Sequence, residues 1–382
     1  MLLVIFGAGA SYDSVPHLPP FQLSRVANQN NWNPLPELQS PGLHEQSRPP
    51  LANGLFDTRG TFVNVMSQFR ECMEIVPWLR KPGVSVEGEL ARLQSEAPTY
   101  PRVHQELAAV RYYLHVALGV CMDGWRGAHL GATNYAVLLR EIERWRLASS
   151  ESVCIVTFNY DTMLEDAMNQ VLGISLPNLN SYLQETYTLV KLHGSINWGR
   201  EVDNQSALAA PHTYNPQRLI TEAATLQISD RYRVVAGRPM YREGEAQRIV
   251  FPALSIPVER KDEFNCPSDH VQRLKDMLPN VTRVLTIGWR GAEKDFVDIL
   301  HKLLAEKPSL MVVSGDAEGA KQTVKNLGVG MPGTYLTNSN PEPMTARVLV
   351  EGGFTGLMLN ERDRLAEFLR SGLALVRPDR RS

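Results

Sequence analysis

The chain has 382 residues, 43% of them hydrophobic, enough for a large buried core arranged as about two domains or as one large domain with an insertion. A formal net charge of −2 excludes a generally basic nucleic-acid binder. Four cysteines, Cys72, Cys121, Cys154 and Cys266, form no CxxC pair, so the sequence carries neither a zinc-ribbon nor a dithiol motif, and their usage fits a reducing cytoplasm.

The first element is LLVIF (2–6), a buried strand ending at Gly7. This apolar opening has no basic lead, which argues against a signal peptide, and no segment reaches the ~20 apolar residues of a membrane span. Residues 14–56 are rich in Pro and Asn and predict a long irregular excursion, which would serve as a gate over a cleft. From 60 to 147 apolar residues recur at three-to-four spacing in TFVNVMSQFRECMEIV, HQELAAVRYYLHVALGVCMDGW and NYAVLLREIERWRLAS, predicting a helical insertion.

An α/β pattern follows. VCIVTFN (153–159) predicts a strand, and Thr162 with Glu165 a capping box that opens a helix closed by Gly173. YTLVKLH (187–193) is the next strand, with Cys154 of the preceding one a buried thiol. Residues 199–250 are polar and show no clear period. RVLTIGW (283–289), LMVVSG (310–315) and GTYLT (333–337) complete the strands. A helix with Phe296, Ile299 and Leu300 on one face, its first turn bearing Glu293 and Asp295, follows the first of these. ERDRLAEFLRSGLALV forms the terminal helix. Apolar strands alternating with helices predict an α/β fold, a Rossmann-like, doubly wound and mostly parallel sheet with a helical insertion.

Four strand ends carry small or polar residues. FGAGAS (6–11) offers a turn that lets backbone approach a phosphate, or simply a tight strand-to-helix turn, since Tyr12 breaks GxGxxG. Ser11 and Asp13 suit a helix cap or contacts to a ribose or phosphate. Asn159 in TFNYD can hold a sugar hydroxyl or a water, or form an Asx turn. His193 in KLHGS suits general-base work near neutral pH, or a structural role beside Gly194. In TIGWRGAEKDF, Gly288 and Trp289 can line an adenosine-side cleft, although Trp289 also reads as core. Ser314 and Asp316 can reach a ribose or cap a helix. In an open parallel sheet such ends face one crevice.

The order of these motifs resembles the sirtuin-like superfamily, over about residues 1–15, 150–200 and 280–340. GAGAS is similar to its glycine turn, TFNYD to its strand-end Asn motif and KLHGS to its HG motif. IGWRGAEKDF resembles a segment of its bacterial antiviral-defence branch. The resemblance divides the chain into an NAD-binding domain, 1–15 plus 150–382, interrupted by the excursion and helical insertion at 16–149. It implies that Gly7, Ala8, Gly9 and Ser11 hug the diphosphate of NAD. Asn159 would contact the nicotinamide ribose or order a water, and His193 would be the base. Asp161 joins the cofactor-binding positions, and Gly288, Trp289 and Ser314 the adenosine side.

The paired CxxC modules and GIPDFR-like stretch of deacylating sirtuins are absent, which favours the branch's NAD glycohydrolases, without a metal, over a protein deacylase. A catalytically silent nucleotide-binding scaffold is a third reading. The resemblance further implies an effector of antiphage defence by NAD depletion. It would act as a homo-oligomer or with a separately encoded HerA-type ATPase, a link to nucleic acid that is only indirect. Contact surfaces would be the insertion and the Arg377, Arg380, Arg381 tail.

Overall fold

The computed structural model describes residues 1–16, 46–81, 83–203, 216–235, 240–243, 246–256, 264–304, 308–328 and 347–371. Most of the excursion, the GTYLT stretch and the arginine tail lie outside these residues.

Six parallel strands form the main sheet: β1 (Leu2–Phe6), β2 (Val153–Thr157), β3 (Tyr187–Lys191), β8 (Arg283–Ile287), β9 (Ser309–Val313) and β10 (Arg347–Val350). Their order is β3–β2–β1–β8–β9–β10, the 3-2-1-4-5-6 arrangement of a doubly wound sheet. The chain runs outward from β1 to β3, then returns to the centre at β8, so the order reverses between β1 and β8. In register, Phe6 pairs with Thr157 on one side and Ile287 on the other, which brings the three strand ends level. β1 and β2 are buried along their whole length, as a strand covered on both faces requires. Leu2, Val4 and Phe6 pack into one hydrophobic cluster, Leu3 and Ile5 into the other. β10 supplies the sixth strand.

The helices are α1 (Ala8–Tyr12), α2 (Gly60–Met66), α3 (Arg70–Leu79), α4 (Val86–Glu96), α5 (Pro101–His129), α6 (Asn134–Ser149), α7 (Met163–Leu172), α8 (Pro216–Thr221), α9 (Ser268–Met277), α10 (Lys294–Leu303), α11 (Ala317–Gly328), α12 (Gly353–Asn360) and α13 (Arg362–Ser371). Helices α2 to α6 occupy the stretch where helical periodicity was expected, with the first expected helix broken at Ser67–Phe69 into α2 and α3. Their apolar faces join the cluster under Phe6, which takes in Phe62, Tyr113, Trp125 and Tyr135. Helices α9, α10 and α11 cover the opposite face through Leu274, Phe296 and Val324.

The polar stretch after 199 departs from the sequence reading. It contributes to a second, antiparallel sheet, β5–β4–β7–β6, built from β4 (Gly194–Val202), β5 (Ile228–Val234), β6 (Met240–Glu243) and β7 (Ala246–Leu254). β5 is an edge strand whose Arg231 and Arg233 both bind Glu201 on β4, so its sequence reads as charged loop. Gly194, at φ 78°, turns the chain from one sheet to the other, and a Cβ there would lie 1.8 Å from the Ala253 carbonyl oxygen.

The capping box is also corrected. Thr162 precedes α7 but makes no side-chain cap; its hydroxyl accepts from Arg126. The Asp161 carboxylate accepts from the Met163 amide instead, at 3.1 Å. Glu165 is drawn away by Lys191, a fully buried ammonium at 2.7 Å that needs a counter-charge. Gly173, at φ 68°, closes α7 as expected.

Candidate functional site

Three glycines make the centre of the sheet end possible. The Gly7 amide donates to the Ile287 carbonyl and the Gly9 amide to the Gly288 carbonyl, each at 3.1 Å. A Cβ on Gly7 would lie 2.5 Å from the Gly288 oxygen, and one on Gly9 2.9 Å from the Gly288 Cα. Gly288, at φ 60°, would place a Cβ 2.3 Å from the Ala10 nitrogen. The glycine turn is thus required by the close approach of two strand ends at the point where the strand order reverses. Ala8 lies inside the same turn, at the start of α1.

Around this knot lies a cleft of about 1910 Å³, and the ten positions expected at an NAD site all line it, as do Asp13 and Asp316. Gly7, Ala8, Gly9 and Ser11 come from the turn after β1, Asn159 and Asp161 from the end of β2, and His193 from the end of β3. Gly288 and Trp289 follow β8, and Ser314 follows β9. The insertion closes the other side with Pro49, Lys81, Ser85 and Glu87 among others.

The β2 side holds a buried polar network. Ser11 Oγ donates to Asp161 Oδ2 at 2.6 Å. Since that uses the hydroxyl's single proton, the amide atom facing Ser11 Oγ at 2.8 Å must be the donor Nδ2 of Asn159. Asn159 is 7% exposed, and among the described residues nothing donates to its Oδ1. The residue therefore offers the cleft a carbonyl oxygen. Beneath it, Lys191 Nζ bonds both the Asp161 carbonyl, at 2.5 Å, and Glu165, fastening the Asn159–Asp161 turn to β3. Burial raises the Glu165 carboxyl above its ordinary pKa, and Lys191 opposes that shift.

The sequence reading did not find Tyr135, whose hydroxyl lies 3.1 Å from Ser11 Oγ and 3.2 Å from Asn159 Nδ2. Nor did it find Phe158. His193 is 7% exposed and stands edge-on to Phe158, ring centroids 4.8 Å apart, and Phe158 stacks flat on Trp289 at 5.6 Å. Trp289 is 4% exposed, packs on Phe296, and donates its indole N–H to Glu293 at 2.6 Å. An aromatic row thus runs from β3 to β8 beneath the cleft, and Trp289 both lines the cleft and belongs to the core.

Two further candidates are committed to helix capping. Asp13 Oδ2 accepts from the Thr355 amide at 2.9 Å and its Oδ1 from the Thr355 hydroxyl, so it caps α12 from across the fold. Burial raises its pKa, with the Thr355 hydrogen bonds acting against the shift. Asp316 accepts from the Gly319 amide at 2.6 Å and caps α11. Capping was one of the roles the sequence offered for both residues; for Tyr135 and Lys191 the signals were faint, a tyrosine in the first turn of an expected helix and a lysine inside the apolar run YTLVKLH.

All four cysteines are buried thiols. Burial pushes those of Cys72, Cys121 and Cys154 up to about 12, leaving them unreactive near neutral pH.

No protein-family model and no curated protein matches the chain. Solved structures do. A Sir2 homologue–NAD complex is 14% identical, with 98% of this chain and 90% of that one covered and a TM-score of 0.39. A mutant Sir2 homologue with 2′-O-acetyl ADP-ribose is 12% identical over 98% and 93% of the two chains, at a TM-score of 0.37. A third Sir2 enzyme is 12% identical over 97% and 93%, at 0.36. Likeness of this extent leaves the reading of the site to its own geometry. Among the described residues no helix is long and apolar enough to cross a membrane.

Proposed function

We propose that this protein is an NAD glycohydrolase that cleaves NAD to nicotinamide and ADP-ribose. The observation that carries the reading is the pairing of Asn159 and His193 at adjacent strand ends, in one cleft, beside the glycine knot where the strand order reverses. A dinucleotide bound at such a point lies across the strand ends. Gly7 and Gly9, which have no side chain, and Ala8, which adds only a methyl group, let the backbone of the turn lie close to its diphosphate, while Gly288, Trp289 and Ser314 stand on the side suited to its adenosine half. The cleft volume accommodates a molecule of that size.

The chemistry asks little beyond placement. NAD supplies the activated bond, because departure of nicotinamide neutralises its pyridinium charge. Asn159 Oδ1 accepts a hydrogen bond from a ribose hydroxyl or from the incoming water and so fixes the reacting centre. His193 takes the proton released as water oxygen bonds to the ribose carbon, and passes it to solvent. The buried Ser11–Asp161 bond holds Asn159 in place throughout. The same proposal makes the protein a cytoplasmic effector that depletes NAD during phage infection, as a homo-oligomer or with a HerA-type ATPase.

Purified protein incubated with NAD tests the activity, with nicotinamide and ADP-ribose followed by chromatography beside Asn159→Ala and His193→Ala. Release by the wild type and its loss in both variants is expected. No release, even with a candidate ATPase and DNA present, would favour a binding module. Product formed only with an acylated peptide would point to a deacylase.

A further inference from the structure

Asn159 can act only if its amide is held the right way round. An asparagine amide is nearly symmetric in shape, and a half-turn would exchange the carbonyl oxygen for two N–H donors. One anchor, Ser11 Oγ, leaves the amide free to pivot about that contact. A second comes from outside the motifs. Tyr135 stands on the first turn of α6, and its hydroxyl is within hydrogen-bond distance of both Ser11 Oγ and Asn159 Nδ2.

The protons can be assigned. Ser11 gives its proton to the Asp161 carboxylate, the shortest contact in the group, so it accepts from both other partners. The Tyr135 hydroxyl then donates to Ser11, and its oxygen accepts the second Nδ2 proton of Asn159. Burial, with the Asp161 charge adding to it, raises the Tyr135 pKa well above the ordinary phenol value, so the hydroxyl keeps the proton this arrangement needs. Both amide protons of Asn159 are then bonded, and a flipped amide would set its oxygen against two oxygens, one of them the Ser11 acceptor.

The ring is fixed independently of the hydroxyl. It packs edge-on against Phe6 at 5.0 Å and Phe354 at 5.2 Å, and Tyr135 is 1% exposed. The start of α6 is tied to the segment that leaves α1: the Asn134 amide donates to the Ser14 carbonyl at 2.7 Å, and its side chain to the Asp13 carbonyl at 2.7 Å.

From this geometry we infer that Tyr135 is a positioning residue, which locks the Asn159 amide so that Oδ1 faces the cleft. The inference rests on the proposed role of Asn159. It extends the site to a residue of the helical segment that stands behind Asn159 and does not line the cleft.

Tyr135→Phe removes the hydroxyl and keeps the ring packing. Two readouts on full-length protein separate the possibilities: steady-state NAD cleavage, and the side-chain amide resonances of Asn159 in protein labelled with ¹⁵N-asparagine, assigned by their absence in Asn159→Ala. We expect kcat to fall about tenfold with KM within about twofold, and both Asn159 amide proton signals to move. A purely structural tyrosine would lower thermal stability without touching either readout. Unmoved amide signals overturn the inference whatever the turnover, as does a shifted amide with kcat intact. Shifted signals in a protein whose wild type releases no nicotinamide support the lock on Asn159 and overturn the proposed function instead.

Discussion

On the half of the sheet built from β1, β2 and β3, the strand ends carry side chains that bond to one another: Ser11, Asn159 and Asp161, with Lys191 beneath. On the half built from β8, β9 and β10 they carry Gly288, a Trp289 ring stacked on Phe158, and Ser314, whose carbonyl accepts from the Gly353 amide. The same topology thus ends in a rigid polar array on one side and in backbone and an aromatic wall on the other. A polar array fixes atoms in orientation, which bond breaking needs; a smooth wall only holds a ligand against it. Variants on the first half should therefore change turnover, and variants on the second should change folding or affinity.

The largest effect expected is from Asn159→Ala, which should lower kcat for NAD cleavage by about 10³-fold while Tm stays near that of the wild type. An equal loss of kcat from Ser314→Ala would break the comparison, since that variant should raise KM a few-fold at most.

At the centre, where the halves meet, glycine replacement should be a matter of folding. Gly288→Ala forces a Cβ against the Ala10 nitrogen and should destabilise the protein by about 4 kcal/mol, or roughly 5 °C in Tm, measured by calorimetry. A normal melt with lost activity would instead assign Gly288 to ligand contact alone.

Lys191→Met should cost about 3–5 kcal/mol, because Glu165 would stay buried without its counter-charge. The double variant Lys191→Met/Glu165→Gln should recover part of that loss in a denaturant titration. Additive losses would mean the pair is not coupled.

The smallest effect is a pH dependence. The native Asp13 carboxyl has a raised pKa because of burial, so the folded state holds its proton more tightly than the unfolded chain does. Its contribution to stability is full below the unfolded carboxylate pKa and is lost as pH rises through the native value. Asp13→Asn removes that titration. The Tm difference, variant minus wild type, should therefore rise from about pH 4 towards neutrality, and a flat difference would show that Asp13 titrates normally.

Much of this was legible in the chain because it is locally encoded. Parallel strands covered on both faces must be apolar throughout, and LLVIF, VCIVT and RVLTI announce themselves as such. Polar residues at the strand ends are equally local, which is why GAGAS, FNYD and HGS marked the cleft. The antiparallel sheet was not legible, since β5 exposes its charges and finds their partner, Glu201, on a neighbouring strand. Thr162 and Glu165 have the spacing of a capping box, but spacing cannot register that Lys191, on another strand, competes for the carboxylate.

By itself, then, the sequence determined the alternation of strands and helices, the glycine turn and the polar strand ends, because periodicity and turn chemistry act between near neighbours. Only the tertiary structure decided that Gly7 and Gly9 face Gly288, that Asp13 caps α12, and that Tyr135 from the helical segment bonds Asn159. Each of those contacts joins residues that are distant in the chain but meet where the strand order reverses. Such meetings are fixed by strand register and layer packing, which no local pattern records.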